Sequence, residues 1–354
     1  MTHAGTDVEA LIERLRRRRR HPGPVQLVAY RGLGTPGELR LSGRVIEDRG
    51  ISPADVARSR WQNLRDNWRR FGSRELPGVT VHASYEGLHA EARTDEEGYF
   101  QTSLPLPASL PPTAAPWQIV RLELPEHGVR SAGEVLVPPP SARLAVISDV
   151  DDTVLQTYAT DLLKMLRLTM LRNARTRLPF EGVAELYRAL EAGASGAEHN
   201  PIFYVSSSPW NLYDFLVEFM AHNGLPAGPL FLTDYGLDRE KLIKQHHTAH
   251  KLAAITTIAR TYPQLPLVLI GDSGQYDPEI YLAATRALPG RVAAIYIRHV
   301  SHERRASAVA AMVADAAALD VPMLLAPDSA TVAEDAARRR LISTAALNAQ
   351  NLIP

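Results

Sequence analysis

The sequence predicts an α/β protein: a parallel sheet covered by helices on both faces, preceded by a smaller β-sandwich-like domain. Three observations carry this. Beyond Pro138-Pro139-Pro140, continuous apolar runs alternate with helical segments, the pattern of strands buried on both faces. Ahead of that joint, short runs alternate apolar and polar residues between Gly, Pro and Asp turn signals, as in a β-sandwich. The 354 residues, 45% of them hydrophobic, suffice for two medium domains with packed cores. The boundaries read from these shifts are a basic arm over 1–24, a β-rich accessory domain over 25–139 and the α/β domain over 140–354.

In the arm, Asp7 to His21 spells a short helix that runs into Arg16–Arg20 and stops at Pro22 and Pro24. The arginine run suits a solvated arm or, alternatively, contact with anionic lipid. The β-rich domain alternates over 25–30, 39–46, 79–85, 89–94, 100–104 and 119–124, with turns at Gly32, Gly34, Glu86-Gly87 and Asp95 to Gly98. One helix, Ser59 to Phe71, aligns Trp61, Leu64, Trp68 and Phe71 among arginines. That stripe fits packing on its own domain, with a membrane interface as the alternative. In the α/β domain, strands are expected over 144–148, 201–206, 266–271, 292–298 and 321–326. Helices are expected over 182–192, 212–223, 251–261, 302–318 and 330–346.

Composition narrows the function. The 39 basic and 39 acidic residues cancel, so bulk electrostatics favours no nucleic-acid partner. The absence of cysteine excludes disulfides, thiolate metal sites and a cysteine nucleophile, and agrees with a cytoplasmic location. No stretch is apolar enough to span a bilayer, and the N-terminus lacks the apolar core of a secretory signal. Membrane contact, if any, is therefore expected to be peripheral.

The chemistry gathers at strand ends. The run from Leu144 delivers Asp149 and, two positions on, Asp151 to the carboxyl edge of a strand, with Thr153 following. Alternate side chains leave a strand on one side, and open parallel sheets bind ligands beyond that edge. Two carboxylates held there suit Mg²⁺ and phosphoryl transfer. The next strand ends in Ser206, followed by Ser207 and Ser208. Lys251 opens the helix before the strand that delivers Asp272, and Asp277 comes five residues later. Lys241 and Lys244 compete with Lys251, and His246 and His250 have the spacing of a zinc pair but no third ligand pattern.

In this order, D-x-D-x-T, a strand-end serine, a lysine and a G-D followed by a second Asp resemble the four motifs of the haloacid dehalogenase superfamily. The stretches 148–153, 204–213, 250–251 and 271–281, with 180–187 and 295–298 fitting too, resemble, more narrowly, the catalytic domain of the actin-patch phosphatidate phosphatase family. The resemblance covers roughly Leu144 to Ala326. It implies a Rossmann-like parallel sheet of haloacid dehalogenase type and a Mg²⁺-dependent phosphatase. Asp149 would be the nucleophile that forms an aspartyl-phosphate, and Asp151 the general acid and then base. Ser206 and Lys251 would hold the phosphoryl oxygens, with Thr153, Ser207 and Ser208 around the substrate. Mg²⁺ would be held by Asp149, Asp272, Asp277 and the backbone carbonyl of Asp151. The implied substrate is phosphatidate or a related lipid phosphate. Two alternatives stay open: a phosphatase of soluble phosphomonoesters, and a lipid- or protein-binding module with a vestigial site.

Overall fold

A computed structural model describes residues 23–47, 74–107, 115–150, 182–233, 243–273, 276–299 and 303–349. The arginine run 16–20, the helix expected over 59–71, Asp151 and Thr153 lie outside the described residues. Fifteen strands form among those described. Nine belong to a first sheet: β1 Val25–Ala29, β2 Gly32–Thr35, β3 Glu38–Glu47, β4 Arg74–Glu75, β5 Thr80–Tyr85, β6 Leu88–Arg93, β7 Tyr99–Pro105, β8 Trp117–Leu124 and β9 Val129–Leu136. Its order is β1-β3-β2-β9-β8-β5-β6, with β4 and β7 pairing on β3. The β1–β3, β3–β4, β5–β6 and β5–β8 pairs are antiparallel, whereas β2–β9 is parallel.

The alternation in the sequence does not announce β2, β4 or β9. β9 is hidden by its own packing: a Cβ at Gly133 would lie 2.6 Å from the Leu41 side chain, so a glycine interrupts the apolar pattern where the strands come close. The turn before β7 follows the sequence reading. Asp95 accepts the N–H groups of Glu97 and Tyr99 at 3.0 and 2.9 Å. Gly98 takes φ +79°, and a Cβ there would meet the Val45 carbonyl oxygen at 2.6 Å.

The other six strands are β10 Ala145–Asp149, β11 Ile202–Pro209, β12 Leu230–Thr233, β13 Leu267–Asp272, β14 Val292–Arg298 and β15 Met323–Ala326. They form a parallel sheet in the order β12-β11-β10-β13-β14-β15. Parallel neighbours need crossovers, which helices supply. These are α1 Val183–Ala192, α2 Tyr213–His222, α3 Ile243–Thr261, α4 Asp277–Ala287 and α5 Glu303–Ala317, with α6 Ser329–Arg338 and α7 Thr344–Ala349 after β15. The order turns back at β10, with β11 and β12 on one side and β13 to β15 on the other. In such sheets the crevice forms beyond the carboxyl ends at that point.

Alternation sorts the strand residues by face. Ala145, Ile147, Phe203, Val205, Leu267, Leu269, Ile295 and Ile297 join one buried cluster with Ala254, Ile255, Ile258 and Ala259 of α3 and Ile280, Tyr281 and Ala284 of α4. On the opposite face Tyr187 of α1 stacks on Tyr204 at 6.4 Å between ring centroids, and Tyr296 hydrogen-bonds Asp335 of α6 at 3.2 Å. The helix expected over 330–346 is instead two. Arg340 takes φ +59°, its N–H bonds the Ala337 carbonyl, and the Leu341 N–H bonds that of Ala336. This is a Schellman closure without its usual glycine, so the sequence carries no stop signal there.

The described residues of Met1–Tyr30, Arg40–Leu104 and Ile119–Glu134 form one compact unit, and those of Arg31–Leu39, Pro105–Gln118 and Val135–Pro354 form another. Among the described residues, no helix is long and apolar enough to cross a membrane.

Candidate active site

Buried strands end where their backbones no longer need neighbours, and the polar residues begin there. Asp149 closes β10, and Asp272 closes the adjacent β13. Asp277 is the first residue of α4, followed by Pro278 in the first turn, where a missing N–H is harmless. A carboxylate at a helix start also faces the positive end of the helix dipole. Lys251 reaches in from α3, which packs on the same face.

The four side chains converge. The Lys251 ammonium lies 2.8 Å from a carboxylate oxygen of Asp149 and 2.8 Å from one of Asp277. All three side chains are at most 3% exposed. Charges so deeply buried persist only when paired, and removing one partner of such a pair costs about 3–5 kcal/mol. The second oxygen of Asp277 accepts the Asp272 N–H at 3.1 Å. Gly271 makes this possible, since a Cβ there would fall 2.5 Å from that oxygen. Asp149, Asp272 and Asp277 each offer a carboxylate oxygen within 4.8 Å of the others. An all-oxygen, anionic donor set fits a hard cation, so these three could hold a metal ion.

Ser206 follows Val205, which registers with Asp149 on the neighbouring strand. It is buried, donates to the Ser208 hydroxyl at 2.7 Å and accepts the Ser208 N–H at 3.0 Å. The Thr233 hydroxyl bonds the carbonyls of Ser207 and Ser208 at 2.8 and 3.2 Å, pinning this irregular end of β11 to β12. Thus Asp149, Lys251, Asp272 and Asp277 meet directly, and Ser206 to Ser208 lie at the adjoining strand end. His250 points elsewhere: its ring nitrogen lies 3.3 Å from the Phe231 carbonyl oxygen, the place of a donor rather than a zinc ligand. The Tyr213 hydroxyl accepts the Arg31 N–H at 2.7 Å, a structural role.

Sequence reasoning missed a buried hydroxyl pair behind Asp149. Ser148 donates to the Asp149 carbonyl at 2.9 Å and shares a short hydrogen bond with the Tyr187 hydroxyl. Burial pushes the Tyr187 hydroxyl up to about 12, against the opposing effect of the Ser148 bond and with the Asp149 charge adding to the rise. The signal in the sequence was a lone serine closing an otherwise apolar strand. A cavity adjoins these groups, lined among others by Ser148, Asp149, Asp272, Arg298 and the apolar Leu186 and Val332.

Comparison with known proteins matches one stretch of the chain. Residues 144–299 match the catalytic domain of phosphatidate phosphatase APP1. The chain is 31% identical over 160 residues to phosphatidate phosphatase APP1 of Saccharomyces cerevisiae, covering 45% of this chain and 26% of that protein. It is 28% identical over 158 residues to an uncharacterized protein of Schizosaccharomyces pombe, covering 44% of this chain and 25% of that one. The chain thus spans about a quarter of the length of these relatives. Among solved structures, a carbohydrate acetylesterase from Xanthomonas citri overlays with a TM-score of 0.25 at 11% identity, covering 76% of this chain and 66% of that one, a likeness too slight to bear on the fold. Residues 144–299, which include all four converging side chains, are thus similar to the catalytic domain of phosphatidate phosphatase APP1.

Proposed function

We propose that the chain is a Mg²⁺-dependent phosphatase that works through an aspartyl-phosphate and hydrolyses phosphatidate or a related lipid phosphate. The observation that carries this is the Lys251 ammonium bridging Asp149 and Asp277 at 2.8 Å each, beside Asp272, at the point where the sheet order turns back. The parallel sheet fits a haloacid dehalogenase-type domain over 140–354, and the first sheet a sandwich-like accessory domain over 25–139. The lipid substrate is supported by the name of the yeast relative.

Asp149 attacks phosphorus in line, forming the carboxyl O–P bond as the bond to the leaving alkoxide breaks. Asp151 gives its proton to that alkoxide, then takes one from the water that cleaves the acyl-phosphate, releasing inorganic phosphate and restoring Asp149. Lys251 offsets charge on the transferring group, and the Ser206 hydroxyl orients one of its oxygens. Thr153, Ser207 and Ser208 shape the loops that receive the substrate. Mg²⁺, held by Asp149, Asp272, Asp277 and the Asp151 carbonyl, would supply the positive charge that lets an anionic nucleophile approach a phosphate dianion.

The test compares dispersed phosphatidate with soluble sugar and nucleotide phosphates, with and without EDTA. Phosphatidate should be hydrolysed in preference, EDTA should abolish activity, and Mg²⁺ but not Ca²⁺ should restore it. Asp149→Asn should remove turnover and phosphoenzyme while the far-ultraviolet circular dichroism is unchanged. Full activity of Asp149→Asn would end the aspartyl-phosphate reading, and preference for a soluble ester would replace the lipid one.

A further inference from the structure

Arg298 is the last residue of β14 and pairs in register with Asp272, so the two side chains leave the sheet on the same face. It lines the cavity that also exposes Ser148, Asp149 and Asp272. Its own carbonyl accepts the Ser273 N–H at 2.8 Å, tying the backbone just beyond Asp272 to β14. The charge reaches the Tyr187 hydroxyl behind Asp149, where it opposes the upward push of burial.

The charge balance of the site calls for such a group. Among the described residues three carboxylates surround one ammonium, and the Mg²⁺ of the phosphatase reading would only bring that set to neutrality, with no positive charge to spare for the substrate. A phosphate dianion arriving at Asp149 brings further negative charge into a dry site, where like charges repel strongly. An arginine keeps its charge when buried and offers a planar fork of donors suited to phosphate oxygens.

We infer that Arg298 binds non-bridging oxygens of the phosphoryl group, as a second fixed cation opposite Lys251. This rests on the phosphatase reading above. The test measures kcat/KM on p-nitrophenyl phosphate, the inhibition constant of inorganic phosphate and the Mg²⁺ dependence for wild type, Arg298→Gln and Arg298→Lys. Arg298→Gln should lower kcat/KM about 100-fold and weaken phosphate inhibition about tenfold, as for loss of one preorganised donor to a developing charge. Arg298→Lys should keep most of the phosphate affinity, and neither change should move the Mg²⁺ dependence. Arg298→Met, which retains the aliphatic stem, serves as a second neutral variant should Arg298→Gln fold poorly. An unchanged inhibition constant in a folded neutral variant, or equal loss in the lysine variant, overturns the assignment. Should the wild-type protein hydrolyse no phosphomonoester, the phosphatase reading itself fails and the assignment with it.

Discussion

Asp277 is held from both sides, by the Lys251 ammonium on one oxygen and the Asp272 N–H on the other. Only a glycine at 271 leaves room for it. Gly271→Ala should therefore push Asp277 out of place and, on the proposed Mg²⁺-dependent reading, weaken Mg²⁺ activation about 10–100-fold, the usual range when a metal ligand loses its support. A Mg²⁺ titration of activity checks this. Tyr187 makes a different prediction. The folded protein holds its proton up to about pH 12, whereas the unfolded chain releases it near 10. Stability is thus complete below pH 10 and is lost as pH rises through 12, a contribution of roughly 3 kcal/mol at most. Tyr187→Phe should melt less steeply with pH over that window than wild type in thermal scans. At this scale the acidic residues were legible because carboxylates at the ends of apolar strands stand out against their surroundings. Tyr187 and Arg298 end stretches that fit the family, but no role could be read for them, because an aromatic on a helix face and an arginine ending a strand look like ordinary core and surface until the fold sets them around one cavity with Asp149.

Among elements, β10 is positioned from its far end by Asn200. That buried amide accepts the N–H groups of Arg143 and Leu144 at 2.8 and 3.2 Å, and donates to the Leu190 carbonyl and the Glu198 carboxylate, each at 2.9 Å. One side chain thereby joins the start of β10 to the end of α1 and the approach to β11. Asn200→Ala leaves buried donors unsatisfied and should destabilise the protein by about 2–4 kcal/mol in urea unfolding. Since the amide lies at the amino ends of the strands, kcat of the folded fraction should barely change. The long apolar strands β10, β11, β13 and β14 could be read from the sequence because burial on both faces leaves an unbroken run. β4, of two residues, could not, nor could β12, whose four residues follow the loop signals Gly228-Pro229, whereas the four of β15 sit inside the longer apolar run 321–326. The break between α6 and α7 was invisible because an arginine, not a glycine, adopts the left-handed turn.

For the whole molecule, the proposed lipid phosphate would have to be met without a membrane-crossing helix among the described residues. Arg16–Arg20 offers a peripheral route, each arginine near an anionic surface contributing about 1 kcal/mol. The protein should cosediment with anionic but not zwitterionic vesicles, and salt should release it. Deleting residues 1–21 should weaken this without altering turnover of a soluble ester, since the converging residues begin at Asp149. Equal binding to both vesicle types would remove the membrane role. The parallel sheet and the preceding β-rich region were both legible in composition and alternation. The parallel pairing of β2 with β9 was not, because register between distant segments leaves no local trace.

Lys251 and the two side chains it bridges come from positions 251, 149 and 277, so about a hundred residues of chain separate the first carboxylate from its ammonium. Contacts that distant form late, after the intervening strands have found their places, because the entropy of closing such loops is lost before the contacts can compensate. A nascent or partly refolded chain would hold β10 with Asp149 at its edge and no cation yet beside it. Catalytic competence should then be among the last properties the polypeptide acquires on folding and among the first it surrenders on unfolding.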